Sequence, residues 1–239
     1  MCAALFDRPA VLTAGPRPSS PYAPRVCRLP GVYAPQGDTG LLMGQLRRED
    51  LRPGARSLDL CTGTGVLAVM ASLRGARATA VDVSLAAIAS ARLNALLHGC
   101  RVRALRGDLD APVRHERFDL ITVNPPYVPS EDTGVPARGA RRSWDAGLDG
   151  RLLLDRVCAR VPRLLTPSGV LLIVQSSLSG IAGTLDALRR GGLRARVVER
   201  STQPFGPVMS ARADWFAARG LVAPGTRTEE LVVIRACRP

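Results

Sequence analysis

The sequence feature that most constrains the fold is a regular alternation of short apolar runs with amphipathic stretches, from residue 56 to the C-terminus. The apolar runs predict strands and the periodic stretches predict helices. Predicted strands cover 56–60, 76–81, 102–105, 118–123, 170–175, 193–198 and 231–235, and predicted helices cover 38–46, 66–74, 85–98, 152–165 and 181–190. Because a parallel crossover needs roughly a dozen residues, this order predicts an α/β fold with a doubly wound, mostly parallel seven-stranded sheet covered by helices on both faces.

One domain accounts for most of the chain. With 239 residues, 46% of them hydrophobic, the chain can bury one α/β core but hardly two. We therefore predict a single domain over 31–239. Prolines recur through 9–35 and disfavour both helix and central strand, so we predict that 1–30 is a loose extension. No apolar run reaches the roughly 18 to 20 residues of a membrane span, and no signal-peptide core is present, so we expect a soluble cytoplasmic protein without membrane contact.

The net charge of the chain is large, but it favours an anionic partner less strongly than its magnitude suggests. The formal net charge is +13, which is typical of proteins that bind nucleic acid or the ribosome. All 33 basic residues are arginine, however, and alanine, glycine and proline are also abundant, which indicates coding bias. The six cysteines are scattered and only two histidines are present, so no metal-ligand spacing appears and we predict no metal.

A glycine-rich loop follows the first predicted strand and predicts a cofactor site. In the segment Asp59 to Gly65, Gly63 and Gly65 allow a sharp turn and a close approach of the backbone to a ligand. The second strand ends near Asp82, 19 residues beyond Gly63, where a carboxylate can bind both hydroxyls of a ribose. Since Ala68 completes a G-x-G-x-x-A pattern, a nicotinamide-dependent oxidoreductase and a module that only binds a nucleotide both fit this loop.

Two further acids favour S-adenosylmethionine as the cofactor. Asp59 precedes the turn, where its charge suits a ligand ammonium and would repel a pyrophosphate. Asp108 follows the third strand and can accept a hydrogen bond from an adenine amino group. Three acids after three successive strands therefore match an amine, a ribose diol and an adenine. The alternative for Asp59 and Asp108 is a capping role at a helix or turn.

The tetrapeptide Asn124-Pro125-Pro126-Tyr127 ends the fourth strand, at the sheet edge where open α/β folds place ligands. The prolines stiffen the backbone, so that the Pro125 carbonyl and the Asn124 side-chain oxygen form a fixed pair of acceptors. Such a pair stabilises the transition state of a planar NH2 group that attacks a methyl donor, since this nitrogen becomes more positive. Tyr127 can stack on the planar target. The sequence therefore predicts N-methylation, and the alternative is a stiff turn with a surface tyrosine.

Residues 31 to about 180 resemble the HemK-like protein glutamine methyltransferases, in particular their short single-domain branch. The resemblance rests on the segment 31–39, the loop 59–65, Asp82, Asp108, the tetrapeptide 124–127, and the stretches 144–147 and 149–151. It implies a Rossmann-like class I fold that uses S-adenosylmethionine, a target glutamine amide at the tetrapeptide, and a protein substrate such as a peptide-chain release factor. It also implies that Tyr33, Asp38 and Thr39 lie over the cofactor.

The chain departs from the family pattern at several places. Residues 34–37 lack the usual acids, and Cys61 stands where a glycine is usual. The segment 204–225 has no counterpart; its residues Met209, Trp215 and Phe216 fit either core packing or a lid over the substrate. A cluster of three arginines beside the active-site loop fits either a substrate clamp or a solvated surface (Arg138, Arg141, Arg142).

An adenine-N6 methyltransferase that acts on DNA or RNA is the main alternative, because adenine and glutamine present similar planar NH2 edges. The basic composition favours it. The family-like loop 144–151 and the lack of a target-recognition domain oppose it. The sequence leaves open whether a small activator subunit is needed and what the oligomeric state is.

Overall fold

The computed structural model describes residues 24–136 and 139–239, so most of the predicted extension and Arg138 lie outside the described residues. The strands are β1 (Arg56–Leu60), β2 (Arg77–Asp82), β3 (Val102–Arg106), β4 (Phe118–Val123), β5 (Leu165–Ser176), β6 (Arg194–Pro204) and β7 (Thr228–Cys237). The α-helices are α1 (Gly37–Arg48), α2 (Val66–Leu73), α3 (Leu85–Leu97), α4 (Leu152–Arg160), α5 (Ile181–Arg190), α6 (Pro207–Ala211) and α7 (Ala213–Ala218).

The strands of the described residues form one seven-stranded sheet in the order β3-β2-β1-β4-β5-β7-β6. Strands β1 to β5 pair in parallel, and β7 runs antiparallel between β5 and β6. The predicted doubly wound, mostly parallel fold is therefore confirmed. The strand order reverses between β1 and β4, whose last residues Leu60 and Val123 are register partners. The loops after these two strands consequently start side by side, where open α/β sheets bind their ligands.

Alternation along the central strands divides the core between the two faces of the sheet. Leu120 and Leu172 pack with α1 and α2 on one face, whereas Ile121 and Leu171 pack with α4 and α5 on the other. Successive strand residues point to opposite faces, and here both faces are covered by helices. The strands therefore read as continuous apolar runs, which is what made them visible in the sequence.

The boundary between α4 and β5 differs from the prediction. The helix predicted over 152–165 ends at Arg160, and Val161–Leu164 form a 3-10 turn with Pro162 in its first positions. Proline lacks the backbone N–H that would continue the α-helix. Strand β5 then begins at Leu165 and not at Val170. Pro162 marks this end of the helix in the sequence, whereas the start of β5 is polar and partly exposed from Thr166 to Ser168, so the apolar pattern did not reveal it.

The described part of the predicted extension lies against α3. The backbone N–H of Cys27 donates to the Asn94 side-chain oxygen at 2.7 Å, and the Asn94 amide donates to the Cys27 carbonyl at 2.8 Å. The N–H of Leu29 donates to the Ser90 hydroxyl at 3.2 Å. Residues 27–29 are therefore not loose, whereas the domain boundary at residue 30 stays a prediction.

The segment 204–225 forms two short helices, α6 and α7, that pack beside the site. Met209 is 4% exposed and Phe216 is fully buried, and both belong to an apolar cluster with Phe205 and Tyr127. The edges of Phe205 and Trp215 contact Phe216, with ring centroids 6.1 and 5.6 Å away. Core packing is therefore the observed role of Met209 and Phe216.

Candidate active site

A cavity of about 580 Å3 opens at the carboxyl edge of the sheet, where the loops after β1, β2, β3 and β4 meet. Its volume falls within the range of about 300 to 1,000 Å3 that is typical of small-molecule sites. The predicted site residues that line it are Tyr33, Asp38, Thr39, Gly63, Asp82, Asp108, Asn124, Pro125 and Tyr127. The two that do not line it are Asp59 and Gly65.

The two glycines of the loop have different tasks. Gly63 lines the cavity with φ +53°, and a Cβ added there would meet no protein atom within 4 Å, so its backbone is open to the cavity. Gly65 has φ +80°, and an added Cβ would come within 2.7 Å of the Ala91 Cα. Gly63 therefore leaves space for a ligand beside its backbone, whereas Gly65 lets α2 pack closely against α3.

Cys61 takes a backbone conformation that suits glycine. Its φ is +56°, in the left-handed region that a side chain disfavours by roughly 1–2 kcal/mol. Burial raises the pKa of the Cys61 thiol well above its usual range, and the nearby carboxylates of Asp82 and Asp59 add to this rise. Cys61 is therefore a neutral thiol at a strained position of the cavity wall, which explains why a glycine would be usual there.

Asp82 organises the loop after β1. Its Oδ2 accepts from the Gly63 N–H at 3.0 Å, and its Oδ1 accepts from the Ser84 N–H at 2.9 Å. Burial raises the pKa of Asp82, while these backbone donors favour the ionised form. Each carboxylate oxygen has a second lone pair, so Asp82 can still accept from a ligand diol. The predicted cofactor role is therefore compatible with its position.

Asp108 lies at the mouth of the cavity and is not free. Its carboxylate forms an ion pair with Arg156, and Arg160 Nη1 lies 3.8 Å from the same oxygen. The side chain is 49% exposed, so this pair contributes little to stability. A contact between Asp108 and an adenine amino group stays a prediction.

Asp59 lies behind the cavity wall and is 2% exposed. Its carboxylate accepts hydrogen bonds from the hydroxyls of Thr62 and Thr122, the latter at 2.8 Å. Burial raises the pKa of Asp59 to about 7, against the opposing effect of the two hydroxyls. Asp59 thus ties the loop after β1 to β4, and the structure does not bring it to the cavity as the cofactor prediction expected.

Asp38 connects helix α1 with the tetrapeptide 124–127. This carboxylate is 3% exposed, and its Oδ2 accepts from Asn124 Nδ2 at 3.1 Å and from the Tyr127 hydroxyl at 3.2 Å. Its Oδ1 accepts from the Thr39 N–H at 2.6 Å. The resemblance implied a cofactor role for Asp38 and Thr39. In the structure both line the cavity and both contact the tetrapeptide, and their cofactor role stays a prediction.

The Asn124 amide has a defined orientation. Its NH2 group donates to Asp38 Oδ2 and, at 3.3 Å, to the Thr39 hydroxyl. An ionised carboxylate only accepts hydrogen bonds, so the side of the amide that faces Asp38 must be the NH2 group. Asn124 Oδ1 is therefore left to accept from a ligand. The tetrapeptide pattern predicted this atom as an acceptor.

Aromatic side chains surround the tetrapeptide. Tyr127 is 8% exposed, and burial, together with the nearby Asp38 charge, raises its pKa well above the usual range. Burial also raises the pKa of Tyr33, whose ring centroid lies 6.4 Å from that of Trp144. Both tyrosines are therefore neutral. Trp144 also lines the cavity but was absent from the predicted site residues, although it belongs to the family-like stretch 144–147.

Asp145 anchors the active-site loop, which sequence reasoning missed. It is completely buried and accepts from Arg141 Nε at 2.7 Å and from Arg212 Nη1 at 2.6 Å. Arg212 also donates to the Pro129 carbonyl at 3.1 Å. Arg141 of the predicted arginine cluster is thus engaged in holding the loop. No local signal marks Arg212, since it lies 67 residues from Asp145.

Comparison with known proteins by sequence gives a match to one family and to two relatives. Residues 24–138 match the family described as methyltransferase small domain. The chain is 33% identical over 189 residues to a protein of Methanocaldococcus jannaschii provisionally named protein N5-glutamine methyltransferase, a match that covers 77% of this chain and 92% of that relative. It is 37% identical over 174 residues to the release factor glutamine methyltransferase of Bordetella pertussis, which covers 69% of this chain and 64% of that relative.

A solved structure shares the fold. The chain is similar to the E. cuniculi Mtq2-Trm112 complex, described as responsible for methylation of the eRF1 translation termination factor. The TM-score is 0.59 with 23% identity, over 87% of this chain and 99% of that one. The chain therefore spans nearly the whole archaeal relative and this structural neighbour, but less than two thirds of the bacterial relative.

Proposed function

The chain belongs to the family of S-adenosylmethionine-dependent methyltransferases that includes the protein N5-glutamine methyltransferases, and we propose that it methylates the side-chain amide nitrogen of a glutamine in a protein acceptor. The observation that carries this proposal is the orientation of Asn124, whose NH2 group is held by Asp38. Its Oδ1, to which no residue of 24–136 or 139–239 donates, is the acceptor that a planar NH2 group requires. The name of the archaeal relative supports glutamine as the residue that bears this group.

The cavity fits the cofactor. S-adenosylmethionine supplies an electrophilic methyl group. The open backbone at Gly63 and the carboxylate of Asp82 would hold its main body and ribose, and Asp108 would contact its adenine. Asp59 would support this arrangement indirectly by fixing Thr62. Burial and hydrogen bonding keep these groups in place before the ligand binds, which reduces the ordering that binding requires.

The tetrapeptide would orient and activate the acceptor nitrogen. Asn124 Oδ1 and the Pro125 carbonyl would accept the two N–H bonds of the target amide, so that the nitrogen lone pair faces the methyl donor. The nitrogen gains positive charge as its bond to the methyl carbon forms, and these acceptors therefore stabilise the transition state more than the bound substrate. The methyl–sulfur bond would break, the donor would leave as a neutral thioether, and the nitrogen would lose one proton to solvent. Tyr127 and Tyr33, both neutral, would confine the planar amide between their rings.

A translation factor is the acceptor class that the relatives support. The bacterial relative is named for release factors, and the structural neighbour is described as a complex of Mtq2 with a second protein, Trm112, that is responsible for methylation of eRF1. An activator subunit for this chain is part of the same proposal. Activity of the isolated chain equal to that of any complex would exclude this part.

The location of the protein follows from this substrate class. Among the helices of residues 24–136 and 139–239, none combines the length and the apolar character of a bilayer span. We propose a cytoplasmic location because translation factors act there.

Labelled S-adenosylmethionine and a cell extract provide a direct test. We expect protein-bound label that is lost on protease treatment and whose initial rate of incorporation falls about a hundredfold with an Asn124→Ala variant. Label that is lost to nuclease and retained after protease treatment would indicate adenine as the acceptor and would contradict the proposal. Absence of transfer, together with stabilisation of the fold by a nicotinamide nucleotide alone, would contradict methyl transfer itself.

A further inference from the structure

Three polar side chains of α3 bind the backbone of residues 24–36, the segment before α1 that we call the strap. On the helix these side chains are four residues apart, and on the strap their partners are two residues apart. The pairs are Ser90 with Leu29, Asn94 with Cys27, and His98 with Arg25. Four helical residues rise about 6 Å and two extended residues span roughly 6.6 Å, so the strap follows the helix in register.

Asn94 is the member of this set that also reaches the loop after β1. It is fully buried, and its Nδ2 donates to the Thr64 carbonyl and to the Cys27 carbonyl, both at 2.8 Å. Its Oδ1 accepts from the Cys27 N–H at 2.7 Å. One N–H of the amide is therefore used on the strap and the other on the loop. Ser90 is equally buried, but among the described residues it forms no hydrogen bond to this loop.

The strap and the loop after β1 both belong to the wall of the cavity. Residues 31–33 of the strap line it, as do residues 62–64 of the loop. Asn94 does not line the cavity, so it can affect a ligand only through the two segments that it holds. If the strap lifted from α3, Asn94 would lose two of its three hydrogen bonds, which is unfavourable for a buried amide unless water replaces the strap.

Resting on the proposed placement of S-adenosylmethionine in this cavity, we propose that Asn94 is a positioning residue that couples docking of the strap to the conformation of the loop after β1. Cofactor that orders residues 62–64 keeps the Thr64 carbonyl on Asn94, and Asn94 in turn keeps Cys27 on α3. A docked strap presents residues 31–33 to the cofactor. Cofactor binding and strap docking therefore favour each other, and linkage requires the same factor in both directions.

Hydrogen exchange of the Cys27 and Leu29 amides tests this coupling, when it is measured by NMR with and without saturating S-adenosylmethionine. Neither residue lines the cavity, so direct contact with the cofactor would not protect these amides. We expect the cofactor to slow their exchange in the wild type by a factor of about 5 to 150, the usual range of coupling between sites. Unchanged exchange in wild-type protein that binds the cofactor would overturn the inference.

Ser90→Ala and Asn94→Ala distinguish coupling from simple attachment of the strap. Both variants should speed exchange in the cofactor-free protein, followed at Cys27 for the Ser90 variant and at Leu29 for the Asn94 variant. The cofactor should still slow exchange in Ser90→Ala by nearly the wild-type factor, but by less than about twofold in Asn94→Ala. Equal slowing in the two folded variants would mean that Asn94 only attaches the strap, and would overturn the inference.

Asn94→Asp provides a second variant in case Asn94→Ala does not fold. Aspartate keeps an acceptor for the Cys27 N–H but has no donor for the Thr64 carbonyl, so it should also uncouple the strap from the cofactor. Exchange at Leu29 that the cofactor slows by the wild-type factor in this variant would contradict the role of the bond to Thr64.

Titration calorimetry gives the reciprocal measurement. The Kd for S-adenosylmethionine should rise in Asn94→Ala by up to the factor by which the cofactor slows exchange in the wild type. An unchanged Kd in a folded Asn94→Ala variant would overturn the inference while the proposed function stands. Slowed exchange and a raised Kd would support the inference even if no glutamine is methylated, in which case only the proposed acceptor fails. Absence of cofactor binding to the wild type would contradict both.

Discussion

Asp38 Oδ2 lies 3.1 Å from Asn124 Nδ2, across 86 residues of sequence, and this contact decides which end of the Asn124 amide faces the cavity. A carboxylate at position 38 accepts only, so the oxygen of Asn124 is directed towards the substrate. Asp38 is in this account a positioning residue for the acceptor amide. The resemblance had implied a position over the cofactor.

Asp38→Asn should therefore lower the turnover number without a large change in cofactor affinity. An asparagine at position 38 can donate to Asn124 and favours the opposite orientation of its amide. We expect a loss of roughly 10 to 100 times in kcat, of the order seen when one transition-state hydrogen bond is removed. Calorimetry should give a nearly unchanged Kd for S-adenosylmethionine. The surface variant Asp50→Asn is a matched control, and a large rise in Kd with unchanged kcat would show that Asp38 binds the cofactor after all.

Asn124→Ala removes the acceptor itself. We expect a loss of about a hundredfold in kcat, or roughly 3 kcal/mol of transition-state stabilisation, with the cofactor affinity nearly intact. Steady-state kinetics with a peptide acceptor and calorimetry with the cofactor separate these quantities. Unchanged turnover would refute the role of Asn124.

Asp82→Ala should mainly weaken cofactor affinity, whereas Asn124→Ala should mainly lower kcat. Loss of the carboxylate removes the predicted ribose acceptor and the bond to the Gly63 N–H, so cofactor affinity should fall by roughly 1.5 to 3 kcal/mol. Titration calorimetry measures this change, and thermal unfolding of the cofactor-free variant checks the fold. Equal affinity in a folded variant would place the ribose elsewhere.

Position 61 provides a test of backbone strain. At φ +56°, a β-branched residue is strongly disfavoured, whereas glycine is not. We expect Cys61→Val to lower the free energy of unfolding by roughly 1–3 kcal/mol and Cys61→Gly to change it by less than about 1 kcal/mol. Urea unfolding of both variants measures the difference. Equal stability of the two variants would mean that the left-handed conformation is not maintained.

Asp59 should make stability depend on pH. The pKa of Asp59 is about 7 in the folded protein and about 3.9 in the unfolded chain. Its contribution to the free energy of unfolding is therefore fully present below pH about 4 and is lost as the pH rises towards 7. Relative to the wild type, Asp59→Asn should gain up to about 1.4 kcal/mol of stability per pH unit across this range. Urea unfolding at several pH values without cofactor measures this difference. A difference independent of pH would contradict the raised pKa.

The sequence predicted the sheet well because both faces of its central strands are buried and the strands appear as apolar runs between helices. It misplaced the end of α4, although Pro162 marks that end, and it missed the start of β5, because Thr166, Pro167 and Ser168 interrupt the apolar run. The acids after β1, β2 and β3 were visible as a pattern.

The individual environments of these acidic side chains were not visible in the sequence, because they depend on partners that are distant in the chain. The carboxylate of Asp59 lies behind the cavity wall, where it accepts hydrogen bonds from two hydroxyls. One of them belongs to Thr122, which is 63 residues away in sequence. The contact of Asp38 with Asn124 and that of Asp145 with Arg212 also form only in the folded chain. The sequence can therefore predict the presence of a polar side chain at the sheet edge, whereas the direction that it faces depends on long-range packing.

The most direct test of the central claim is mass spectrometry of a purified acceptor protein after incubation with the enzyme and S-adenosylmethionine. The account predicts a mass gain of one methyl group that fragmentation places on the side chain of a single glutamine, and loss of this product with Asn124→Ala. A methyl group on another residue type, or product formation that Asn124→Ala leaves unchanged, would contradict it.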